Sequence, residues 1–140
     1  MIRPFEAKDL EDIDLSPEHR ELARRVAPAL MDLVAPGLAK TLVTASGRPV
    51  VVFGAAPVAD DECEVFIFPS RGRAQHRASF WRGTKAMVDY ARGRFKRVRA
   101  VSKNETVACD FLARLGFAPG PVHNAAARPE TAGMRGWVLA

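Results

Sequence analysis

The sequence predicts an α/β (α+β) fold, on three observations. Short apolar stretches with strand character alternate with longer ones whose apolar residues recur every three to four positions. After Pro69 the period changes from about two to about three and a half. The length of 140 residues, with 48% hydrophobic and 26% charged side chains, suits one domain over 1–140 built around one core. The same composition is a poor fit to disorder, collagen-like repeats or coiled coil.

In chain order, Ile2–Phe5 is a short apolar strand, and Ala7–Leu15, with Leu10 and Ile13 three apart, is a short helix. Ser16-Pro17-Glu18 places a hydroxyl at an N-cap, proline at the first helical position and an acid in the first turn, so a helix should run from Pro17 towards Val34. Pro28 is expected to kink or split it, because proline lacks the donor and crowds the preceding turn. Lys40–Ala45 and Val50–Phe53 are strands flanking Ser46-Gly47-Arg48, and Glu64–Phe68 is a third beyond the turn-rich Pro57–Asp61. These three are expected to form an antiparallel meander.

Phe80, Thr84, Met87, Val88, Ala91 and Phe95 then share one stripe at helical spacing, with Arg82, Lys85, Asp89 and Arg92 on the remaining surface. Arg97–Val101 alternates basic and apolar residues, as a strand with one buried face does. Thr106–Leu115 repeats Val107, Ala108, Phe111, Leu112 and Leu115 as an amphipathic helix, ended by Gly116. Ala118–Val122 reads as a loop, Gly136–Leu139 is the last strand, and Trp137 should pack against the sheet.

Several chemistries lack their signatures. Cys63 and Cys109 form neither a disulfide framework nor a zinc spacing and are expected to be reduced thiols. His19, His76 and His123 make no His-Glu-x-x-His pair, and there is no Gly-x-Ser-x-Gly elbow or P-loop. No metal site is expected. No apolar run approaches the roughly 20 residues of a membrane helix, and Met1–Glu6 carries charge where a secretory signal needs an apolar stretch. A cytoplasmic protein without a membrane partner is the expectation.

The net charge of +5 is unevenly spread. Residues 1–70 hold 7 basic and 12 acidic groups, residues 71–103 hold 11 and 1, and residues 104–140 hold 3 and 3. The segment Arg71–Lys103, interrupted only by Asp89, needs either polyanionic partners, phosphates above all, or ample solvent. Nucleic acid is one such partner, although the neighbouring Phe80 is already used by the helical stripe.

The segment Ala91-Arg92-Gly93-Arg94-Phe95-Lys96-Arg97-Val98-Arg99-Ala100-Val101, followed by Asn104, Ala108 and Phe111-Leu112-Ala113-Arg114-Leu115-Gly116-Phe117, resembles the helix, strand, Asn-x-x-x-Ala and Leu-Gly-Phe ending of the GNAT N-acetyltransferases. Ile2-Arg3-Pro4-Phe5 with Asp9-Leu10 is similar to that family's first strand and helix, and the likeness covers nearly the whole chain. It implies a mixed, mostly antiparallel central sheet, ending in a pair of strands and flanked by about four helices. It also implies acetyl-CoA as cosubstrate, an acceptor amine, and a monomer or homodimer.

In the family two neighbouring strands part, so that the pantetheine arm bonds to exposed backbone like an added strand while the pyrophosphate meets amides at the next helix N-terminus. Carried onto this sequence, that strand is Glu64–Phe68, with Phe66 and Ile67 at the arm and the parting near Phe66 and Val98. Arg71, Arg73 and Arg77 would face the phosphates. The family's glycine-containing phosphate loop falls either on Gln75–Phe80, which includes Ala78 and Ser79, or on Arg71–His76. Asn104 would contact the CoA arm or simply cap its helix, and Phe111 and Trp81 would stack on ligand or fill core.

Glu62 and Glu64 share one strand face and are the candidate general bases, against the alternative of solvated surface acids; His76 is a further candidate. The position of the family's thiolate-protonating tyrosine is occupied by Leu112, and the phosphate loop is poor in glycine. Those two departures leave a second expectation open, a catalytically degenerate relative of phage or prophage, virion-associated type.

Overall fold

The computed structural model describes residues 1–102, 106–122 and 135–139. In chain order the elements are β1 (Ile2–Pro4), α1 (Asp9–Asp12), α2 (Pro17–Asp32), β2 (Ala39–Val43), β3 (Pro49–Ala59), β4 (Glu62–Pro69), a 3-10 helix (Arg71–His76), α3 (Arg77–Arg94), β5 (Arg97–Ser102), α4 (Thr106–Arg114), β6 (Phe117–Val122) and β7 (Arg135–Leu139). The strands form one seven-stranded sheet in the order β1-β2-β3-β4-β5-β7-β6. Its pairs are antiparallel except β4 with β5, which are joined through α3 as a parallel crossover needs. The expected meander is β2-β3-β4.

Side-chain alternation assigns the helices to faces. Thr41 of β2 bonds to Asp9 of α1, and a Cβ on Gly54 of β3 would run into Leu30 of α2, so α1 and α2 cover that face. Leu42, the next residue along β2, meets Gly83 of α3 on the other face. Central β3 is therefore covered twice, and Val51, Val52 and Phe53 are each at most 1% exposed. Phe80, Met87, Val88 and Ala91 of the predicted stripe are buried, as is Trp137.

Polar anchors tie the first elements down. Asp9 is fully buried and accepts from Arg3 Nη1 at 2.9 Å and Nη2 at 2.7 Å, from the Glu6 N–H at 2.9 Å and from Thr41 Oγ1 at 2.7 Å. Burial pushes its carboxyl upward, but the hydrogen bonds from Arg3, Glu6 and Thr41 outweigh that and hold it below the usual carboxylate range. Arg20 of α2 donates to the Leu10 and Ile13 carbonyls, closing the end of α1.

Several elements depart from the sequence expectation for local reasons. The first helix is only Asp9–Asp12, because Ile13 is already extended. The second runs unbroken through Pro28: the bond lost to the Arg24 carbonyl lies between exposed residues, where water can replace it. Strand β3 continues past Phe53 to Ala59 through the expected turn. Ala55 N–H bonds back to Leu38, so Pro57 would donate on that same side, beyond the first residue of β2, and forfeits no ladder bond. Ala118–Val122 is part of strand β6 rather than a loop; β6 is an edge, where proline is tolerated, and its register shifts between Pro119 and Val122. The expected ends are present at Ser16, whose Oγ accepts the His19 N–H at 3.2 Å, and at Gly116, with φ +102. No helix among the described residues is long and apolar enough to cross a membrane.

Candidate functional site

Strands β4 and β5 pair from Glu62↔Arg97 to Val65↔Ala100 and then separate. The parting thus begins at Phe66 and Val101, not at Val98, which still pairs with Cys63. Beyond it, β4 stays paired with β3 through Pro69↔Val51, and β5 with β7 through Ser102↔Arg135. The Ser70 N–H donates to Val50 at 2.8 Å, so even-numbered β4 residues bond to β3. Ile67, an odd-numbered residue, turns its N–H and C=O into the opening, where no strand of the described residues pairs with it. Pro69, next on that side, has no N–H to offer. The Phe66 and Ile67 side chains are half-buried on opposite faces.

On the α1/α2 face, Arg99 of β5 lies 3.5 Å from Glu62 and 3.9 Å from Glu64, which confirms that both glutamates share a face. Arg97 reaches Asp61 at 3.3 Å and Glu62 at 3.9 Å. Glu64 is 1% exposed, so the solvated-surface alternative is overturned for that residue. Glu62 keeps 22% of its side chain exposed. Between them Cys63 points to the other face, and burial, with the charges of Glu62 and Glu64, pushes its thiol up to about 11.

The basic segment entering α3 is a 3-10 helix whose first turn is capped by Ser70 Oγ accepting the Gly72 N–H at 3.1 Å. Arg71 is engaged by Asp14, whose Oδ1 accepts from its Nε at 3.0 Å and its Nη2 at 2.6 Å. Arg73 donates to the Ser70 carbonyl at 3.0 Å and lies 6.0 Å over the Phe80 ring. Arg77, Ala78 and Ser79 form the exposed first turn of α3, which has no acidic residue and no side-chain cap from His76, itself exposed. Such a helix start favours an anion. Three arginines of the basic block meet acids from the first half of the chain instead, in Arg71–Asp14, Arg97–Asp61 and Arg99–Glu62.

Between α3 and α4, Phe80, Trp81 and Phe111 form an aromatic triangle, with centroid separations of 5.4 Å (Phe80–Trp81), 5.8 Å (Phe80–Phe111) and 5.4 Å (Trp81–Phe111). Arg114 of α4 stacks over Trp81 at 4.2 Å. Leu112 is buried at 4% exposure. Asn104 lies outside the described residues. Sequence reading passed over Arg99 and Arg114: strand alternation aligns Arg97 with Arg99, but their register against Glu62 and Glu64 is set only by the β4–β5 pairing.

No protein-family model and no curated protein matches the chain. Solved structures do. An acetyltransferase of the GNAT family from Staphylococcus aureus superposes with a TM-score of 0.71 at 9% identity, over 99% of this chain and 97% of that one. Ard1 from Thermoplasma volcanium gives 0.68 at 16% identity, over 99% and 93%. A GNAT superfamily phosphinothricin acetyltransferase from Sinorhizobium meliloti, in complex with AcCoA, gives 0.62 at 17% identity, over 99% and 86%. The chain has the GNAT acyl-CoA N-acyltransferase fold, with its mixed seven-stranded sheet and four helices.

Proposed function

We propose that this protein is an acyl-CoA-dependent N-acetyltransferase that takes acetyl-CoA into the opening between β4 and β5. The observation that carries the proposal is the end of β4–β5 pairing at Val65↔Ala100, which leaves the Ile67 amide facing the opening. Ile67 would bond the pantetheine arm as a strand neighbour does, and the start of α3 with Arg73, Arg77, Ala78 and Ser79 would hold the phosphates. The residues present suit such a ligand: an added-strand edge, an acid-free helix start and nearby guanidinium groups. The complex of the fold neighbour with AcCoA supports the same choice.

Glu64 is the proposed base. It lies one residue before the last β4–β5 pair, next to the opening, so an amine arriving from the α1/α2 face can pass its proton to this carboxylate directly or through one water. The amine attacks the thioester carbonyl carbon, the C–N bond forms as the C–S bond breaks, and the departing thiolate takes its proton from solvent, since Leu112 has none to give. Glu62 is the secondary base candidate.

One observation favours the second reading, a degenerate relative without transferase activity: the Phe80–Trp81–Phe111 triangle fills space between α3 and α4 beside the opening. Thermal unfolding with acetyl-CoA at 100 times its dissociation constant should show about 2.7 kcal/mol of added stability. The Arg73→Ala, Arg77→Ala double variant should bind about tenfold more weakly. Thiol release with a panel of amines then separates the readings. Binding with release supports the transferase, binding without release against every amine supports the degenerate relative, and no stabilisation at millimolar acetyl-CoA overturns the site.

A further inference from the structure

Away from the β4/β5 opening, a cavity of about 220 Å³ lies between β1–β3 and the C-terminal half of α3. Ile2, Phe53, Ala86 and Met87 supply apolar walls, and Lys40 and Tyr90 bring a cation and an aromatic ring. Lys40 pairs with Phe53 across β2 and β3, so both side chains project to the α3 face. Tyr90 is 41% exposed yet fixed in place. Its hydroxyl accepts from Arg94 Nη1 at 2.9 Å, that nitrogen also reaches the Pro36 carbonyl at 3.1 Å, and the guanidinium lies 5.8 Å from the ring centroid. The Lys40 Nζ stands 5.7 Å from the same centroid.

The ammonium of Lys40, a half-buried residue, has no ion-pair partner among the carboxylates of the described residues. Asp89, on the neighbouring helix surface, is held by Lys85 at 2.9 Å. An apolar-walled cavity with a braced aromatic ring and an unmatched cation selects by charge as well as by shape. Its size suits a single aromatic ring with a short chain, entering past the exposed Ala86 and Tyr90.

We propose that this cavity binds a small organic acid with an aromatic or branched apolar body, its carboxylate against Lys40 and its body against Phe53, Met87 and the Tyr90 ring. The test is a titration of the protein with 3-phenylpropionate and, separately, with the neutral 3-phenylpropionamide, followed by amide NMR shifts. The acid should perturb Lys40, Phe53, Met87 and Tyr90 and bind about tenfold more tightly than the amide. Lys40→Met, checked for an unchanged unfolding midpoint, should remove the acid's advantage and leave the amide's affinity alone. Ala86→Phe, at an exposed lining position, should block both. Equal affinities for acid and amide, an acid affinity indifferent to Lys40→Met, or shifts confined to another surface would overturn the assignment.

Discussion

Replacing Asp9 by asparagine removes one charge from a fully buried position and leaves its partners in place. The carboxylate accepts four hydrogen bonds, two of them from Arg3, whose side chain is 24% exposed. An asparagine of the same shape offers one acceptor oxygen and turns an NH2 group towards donors. Breaking a buried pair from one side costs about 3–5 kcal/mol. Because Arg3 retains some solvent, the cost falls just below that range, to about 2–3 kcal/mol, or roughly a 10 °C fall in Tm for a domain of this size.

The pH dependence follows from the direction of the Asp9 shift. Its folded-state carboxyl lies below the unfolded value of about 3.9, so the contribution is complete above that value and is lost as pH falls through the folded one. Urea unfolding of both proteins at pH 7, and again between about pH 4 and 2, gives the curves. The variant should be weaker at pH 7, and its deficit should shrink in acid. A deficit under about 0.5 kcal/mol at pH 7, or one independent of pH, would refute the reasoning.

Gly54→Ala puts a methyl group against Leu30 in the α2 interface, and denaturant unfolding should record a loss of about 1–3 kcal/mol. In a Cys109→Ser background, Cys63 should resist a thiol reagent at pH 8 in the folded protein and react at once in urea, since its thiol is pushed up to about 11. Glu64→Gln should lower kcat by a factor of about 100 or more with little change in acetyl-CoA affinity, while Glu62→Gln should be much milder. Steady-state kinetics with any accepted amine decides that comparison.

Local chemistry was readable along the chain, and spatial partnership was not. The Ser16 cap, the α3 stripe and the Gly116 terminus each rest on residues a few positions apart, and each is where the sequence places it. Prolines misled in one direction, towards a break where the element continues: Pro28 sits on a solvated helix face, Pro57 faces past the end of β2 and Pro119 lies on an edge, all places that tolerate a missing donor. At the candidate site, alternation alone joined Glu62 with Glu64. The Arg71–Asp14 and Arg97–Asp61 contacts span 57 and 36 positions, so the pairing of these arginines was invisible in one dimension. The aromatic triangle likewise joins α3 to α4, and only the crossover geometry makes Phe80 and Phe111 neighbours.

The most direct measurement is amide hydrogen exchange at single residues of β4, with and without saturating acetyl-CoA. In the free protein the Val65 N–H, inside the β4–β5 ladder, should exchange slowly, and the Ile67 N–H, at the opening, should exchange fast. Acetyl-CoA should slow Ile67 by at least an order of magnitude and leave Val65 nearly unchanged. An Ile67 amide already as slow as Val65 without ligand, or one that stays fast with the ligand bound, would contradict the proposed seat of the cosubstrate.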